Sequence, residues 1–187
     1  GTHELQTVLV DSVDMRIVQV ERPHLDVVKG CEVRREQRSD VPAPDPADYP
    51  GMDEETPEGA EQALRYYIAV VYWGYQTGDT ETLEALHTEN CEQCLDITEE
   101  IRSINETGSY WHDAPIIPVS SAHHDSEDFG HEASYGFNVG AHREPVPGET
   151  AYMEVEETPY TAVAGFNWES GAWLVDTMIL AESQHAE

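Results

Sequence analysis

Cys91 and Cys94 stand three residues apart in ENCEQCLD, a spacing that suits either a redox pair or a structural disulfide. With Asn90 as a helix N-cap, Cys91 would fall in the first turn, where the helix dipole lowers a thiol pKa. Glu89 and Glu92 oppose a thiolate, no Lys, Arg or His lies next to the pair, and no βαβ pattern surrounds it. Those features favour a structural disulfide over a reactive dithiol. A zinc site would take His87 as a third ligand and still lack a fourth. Cys31 is the odd cysteine, read either as an intersubunit bridge or as a buried free thiol.

Two groups of histidines could do further chemistry. His112 and Asp113 follow Trp111, and a His–Asp pair over an aromatic pocket is a general-base arrangement of isomerases and dehydratases. Trp73, Trp111, Tyr135, Phe137 and Trp168 could line such a pocket or simply fill the core. His123, His124, Asp125 and His131 could hold a divalent ion, but SAHHDSEDFGHE reads as a hydrophilic hairpin loop and matches no ligand spacing. The expectation is therefore no metal and no other cofactor, with catalysis at His112 and Asp113 as the alternative to a purely structural or binding role.

The elements that must position these residues follow from periodicity. Leu5 to Val10 and Val13 to Val20 alternate as strands, so residues 1–41 are read as an N-terminal β segment. Residues 42–56, PAPDPADYPGMDEET, are Pro-rich and acidic and read as an extended linker. Thr56 caps a helix with Pro57 at its first position; Ala60, Ala63, Leu64, Tyr67, Ile68 and Val71 share one face, and Gly78 stops it. TETLEALHTE and CEQCLDITEEIRSINETG read as two more helices. After Gly108 the period becomes two, giving strands in APIIPVSSAHH, HEASYGFNVGAH, TAYMEVEE, YTAVAGFNWE and AWLVDTMIL, with a tight turn in NWESGAW. The predicted fold is α+β: three N-terminal helices packed on a curved, cone-like antiparallel sheet over residues 57–187, preceded by the short β segment.

Composition limits what this domain can meet. The 187 residues carry 38 acidic and 9 basic side chains, a net charge of −29. Such a surface repels nucleic acid and anionic lipid headgroups. Lys29 is the single lysine. Abundant carboxylates with almost no lysine fit work in strong salt, which screens their mutual repulsion. The opening GTHELQ has neither the basic nor the apolar part of a signal peptide, and no stretch approaches the ~18 apolar residues of a membrane span.

The segments DPADYPGMDEETPEGAEQALRYYI, YQTGDTETLEAL and CEQC resemble a family of uncharacterised actinobacterial cell-envelope lipoprotein domains. In that family a Pro-rich linker leads into such a start, and the architecture is similar to the nuclear-transport-factor-2-like cone. The resemblance covers about residues 45–185. Members carry a lipobox cysteine before the linker; here Cys31 sits in VVKGC, behind Asp26 and Lys29 rather than an apolar run. The resemblance implies an extracellular or cell-surface, non-enzymatic binding or assembly module. Its partner would be itself, through the N-terminal strand, or another envelope protein.

Overall fold

The computed structural model describes residues 40–183. Cys31 and the alternating runs of residues 5–20 lie outside the described residues. Within them, the 3-10 turn Pro46–Asp48 leads to three helices, α1 (Pro57–Thr77), α2 (Glu81–Glu84) and α3 (Glu92–Glu106). Six strands follow: β1 (Ile116–His124), β2 (His131–Val139), β3 (His142–Pro145), β4 (Tyr152–Val155), β5 (Thr158–Glu169) and β6 (Ala172–Glu182).

α1 forms where its caps and apolar face place it. Thr56 Oγ1 accepts the Gly59 N–H at 3.0 Å, and Gly78 closes the helix with φ 79°. Gly59 is required by contact: a Cβ there would sit 2.3 Å from the Glu54 carbonyl oxygen. The buried face of α1 runs from Ala60 through Leu64, Tyr67, Ile68 and Val71 to Tyr75. It packs across β1 and β2, while α3 packs against β6.

The strands pair antiparallel in the order β1-β2-β5-β6, and β3 and β4 form a separate two-stranded sheet. The β5–β6 turn is Ser170-Gly171, both with positive φ (53° and 83°), the conformation that matches strand twist in a two-residue hairpin. One bulge decides what β6 presents. Gly165 pairs with Thr177 but Phe166 pairs with Val175, leaving Asp176 as an extra residue. The extra residue shifts the alternation, so Trp173 and Val175 point inward on one side of it and Met178 on the other.

The expected arrangement of three helices packed on one cone-like sheet is therefore corrected. α1 is the one long helix and α2 a single turn, and the strands dominate the C-terminal half in two sheets. α2 ends early because the chain after it turns into strand contacts: Thr88 N–H donates to the Val175 carbonyl at 2.9 Å, and Val175 N–H to the Leu86 carbonyl at 3.0 Å. The second sheet separates at Gly140, which packs so closely on Pro115 that a Cβ would lie 2.7 Å from the proline ring. Residues 42–56 also depart from a continuous extended run. They hold the 3-10 turn, and the Tyr49 ring meets Tyr66 of α1 edge-on at 5.2 Å.

Candidate functional site

Three elements leave an apolar pocket of about 170 Å³ between them. Ala63, Tyr66 and Tyr67, spaced at helical i, i+3, i+4, supply one wall from α1. The end of the β5–β6 hairpin supplies another through Phe166, Trp173 and Val175, the residues that the Asp176 bulge orients. Leu86 and the turn at Met52 and Asp53 complete it, with the exposed Asp53, Gly171 and Ala172 at the mouth. Asp53 is the one charged residue of the lining.

The polar atoms around this pocket are unusual. Tyr67 Oη and Trp173 Nε1 are buried without a hydrogen-bond partner among the described residues, and so are both ring nitrogens of His87. The His87 ring meets Tyr67 edge-on at 6.3 Å. Burial pushes the His87 pKa down and the Tyr67 pKa far up, so both stay uncharged at neutral pH. The Trp173 ring is held from three sides: Trp168 at 4.8 Å, His131 at 4.9 Å and Phe166 at 5.9 Å.

The residues singled out by sequence go to several places. Cys91 and Cys94 are joined by a disulfide, S–S 2.02 Å, both buried. Cys91 itself is the N-cap of α3, and Asn90 instead donates from Nδ2 to Asp176 Oδ1 at 3.0 Å, beside the Thr88 hydroxyl at 2.6 Å. Asp176 thus uses its bulged position to tie the chain before α3 to β6. His112 meets the Tyr152 ring at 5.0 Å, and its backbone bridges Arg143. Asp113 is exposed in a left-handed turn, φ 57°.

None of Trp73, Trp111, Tyr135, Phe137 and Trp168 lines the pocket. Trp73 donates its indole N–H to the Val41 carbonyl at 3.1 Å. Trp111 stacks between Tyr75 at 4.2 Å and His142 at 4.9 Å; Tyr135 stacks on Phe137 at 5.0 Å. Trp168 reaches the pocket at second hand, through Trp173.

His123 pairs with Glu61 of α1 at 2.7 Å, and Ser121 donates to the same carboxylate at 2.9 Å. The Glu61 hydrogen bond raises the His123 pKa. Burial raises the Glu61 pKa, but its bonds to His123 and Ser121 outweigh that and hold it below the usual range. His124 meets Ser134 Oγ at 2.9 Å, and His131 meets Trp173. With Asp125 these histidines share one hairpin but face different partners. Among the described residues no three His, Cys, Asp or Glu side chains gather as an ion site.

Sequence reading missed two features. His142 is buried, with Nδ1 2.8 Å from the Gly140 carbonyl and Nε2 2.9 Å from Glu144 Oε1. The H-x-E spacing on a strand, which puts both side chains on one face, was the available signal. In the sequence Tyr67 shares the apolar face of the first helix, His87 suits a third zinc ligand and Trp173 stands next to the NWESGAW turn, so nothing local joins the three. Their convergence depends on a bulge that no local pattern announces.

A model of a family of unknown function (DUF6318) matches residues 35–179. No curated protein matches the chain. Among solved structures, the intermembrane space region of the chloroplast protein ARC6 is similar at TM-score 0.49 and 13% identity, over 70% of this chain and 99% of that one. No helix among the described residues is long and apolar enough to cross a membrane.

Proposed function

The chain belongs to the DUF6318 family of unknown function, and from there we propose that it is a non-enzymatic binding or assembly module on the outer side of the cell envelope. The observation that carries this reading is the pocket between α1 and the β5–β6 hairpin, with apolar walls and a single carboxylate at the mouth. Such a lining suits holding a ligand. The His112 and Asp113 pair, the alternative as a general base, sits outside that lining.

The Cys91–Cys94 disulfide supports a place in an oxidising compartment, hence an extracellular or cell-surface position. The resemblance to envelope lipoprotein domains points the same way. In this reading residues 1–41 form a front segment, joined through 42–56 to the body at 57–187, and add as a strand to a sheet edge of a second copy. Cys31 would then lie where it can bridge subunits.

Light scattering on the full chain and on a deletion of residues 1–41 tests assembly. The full chain should exceed its monomer mass and the deletion should not; two monomers would remove the assembly role. Protease added to intact cells tests the position. Cleavage before lysis is expected, and protection until lysis would contradict an envelope location.

A further inference from the structure

The pocket between α1 and the β5–β6 hairpin restricts its occupant by size, by wall chemistry and by charge. Its volume, about 170 Å³, is close to the roughly 150 Å³ of a cavity that holds one benzene ring. The walls are rings and aliphatic side chains, among them Ala63, Tyr66, Leu86, Phe166 and Val175. An apolar group gains by leaving water for such walls. A charged group would lose its hydration there and recover nothing in exchange.

The mouth has the opposite character. Asp53 stands there, exposed, in a turn that its neighbours hold: the Met52 N–H donates to the Tyr49 carbonyl and the Glu54 N–H to the Gly51 carbonyl, both at 3.1 Å. Ala172, also at the mouth, pairs across the hairpin with Glu169, a second exposed carboxylate. No Lys or Arg is among the lining residues; Arg65 is engaged by Gln62 and Arg102 by Glu84. Carboxylates around an apolar recess, on a chain of net charge −29, concentrate cations and repel anions.

We infer that the pocket takes a single ring, or an alkyl group of similar size, from a small organic cation whose ammonium group stays in water beside Asp53. The inference rests on the binding reading above and names its ligand class. Burial of the apolar group supplies most of the affinity. The ion pair at the mouth selects by charge, and its share is small because water and salt screen an exposed pair.

Calorimetric titration of the full chain in dilute buffer with benzylamine, benzyl alcohol and benzoate tests this, since the three share one ring and differ in charge. Benzylamine, a cation at neutral pH, should bind about three- to fivefold tighter than the alcohol, and benzoate about threefold or more weaker than the alcohol. Asp53→Asn changes an exposed turn residue and barely alters the net charge. It should bring benzylamine down to the affinity of the alcohol and leave the alcohol unchanged, and a thermal melt checks that the variant folds. Three results would overturn the assignment: the alcohol binding as tightly as the amine, the amine preference surviving in the folded variant, or no binding by either. Alcohol binding without a preference for the amine removes the ligand class and leaves the binding reading. No binding by any of the three removes the pocket's role as well, and leaves only assembly, which deletion of residues 1–41 reads separately.

Discussion

His87 and His123 respond to acid in opposite directions, and the difference follows from their surroundings. The His87 ring is buried with both nitrogens unanswered, and burial lowers its pKa. The unfolded chain therefore binds this proton more readily than the folded one. Stability is present above the ordinary histidine value, about 6.5, and is lost as pH falls below it. His87→Phe should raise the melting midpoint, and raise it more at about pH 5 than at about pH 7.5; a lower midpoint at both would show that the imidazole is answered after all. His123 behaves the other way. Its pKa is raised by Glu61, so its contribution is complete below the ordinary value and fades as pH climbs through the folded one. Glu61, held low, contributes above its unfolded value and loses that only in stronger acid. The pair therefore acts best in mild acid, and His123→Asn should depress the midpoint more at about pH 6 than at about pH 8.5.

Among the elements, α1 was the most legible in the sequence because its determinants are local: a Thr cap, Pro at the first position, one apolar face and a terminal Gly. Thr56→Ala removes the bond to the Gly59 N–H and should destabilise by about 1 kcal/mol in denaturant unfolding. Gly78→Ala should cost more than the cap, since φ is 79° and a Cβ would meet the Asn105 amide at 2.7 Å. α2 was overextended for the opposite reason. The apolar spacing of TETLEALHTE suits a helix, but Leu86 and Thr88 make strand bonds to Val175, a partner almost ninety residues away that no window of sequence contains. Five of the six strands were visible from their alternation, and the β5–β6 turn from Ser-Gly; β3 was not, because HEASYGFNVGAH reads as one run through His142 while the strand breaks at Gly140. The Asp176 bulge was not visible either, because it conserves composition and only shifts parity. The candidate site depends on that parity, so its residues could be named from sequence but not brought together. The disulfide at the start of α3 can be checked directly. Alkylation without reductant should leave Cys91 and Cys94 unmodified, and reduction should lower stability by about 2 kcal/mol on loop-closure grounds.

For the whole molecule, charge and pocket are the two properties that govern behaviour. Between residues 40 and 183 the bases are Arg65, Arg102 and Arg143, against 30 carboxylates. Salt screens their repulsion over about 10 Å already at 0.1 M, so the melting midpoint should rise from dilute buffer to molar salt. A flat or falling midpoint would remove the case for salt adaptation. Of the four tryptophans, Trp173 carries an indole N–H that is buried and unanswered, whereas Trp73 already donates to Val41. Trp173 lines the pocket and Trp73 does not, so proton–nitrogen correlation spectra of the indole groups, recorded as the neutral, largely apolar probe cyclohexanone is added, put the pocket to the most direct test. The Trp173 indole resonance should shift and saturate while those of Trp73 and Trp111 hold still. A Trp173 resonance that stays in place at saturating ketone, or one that moves no more than Trp73 and Trp111 do, would contradict a binding site between α1 and the β5–β6 hairpin.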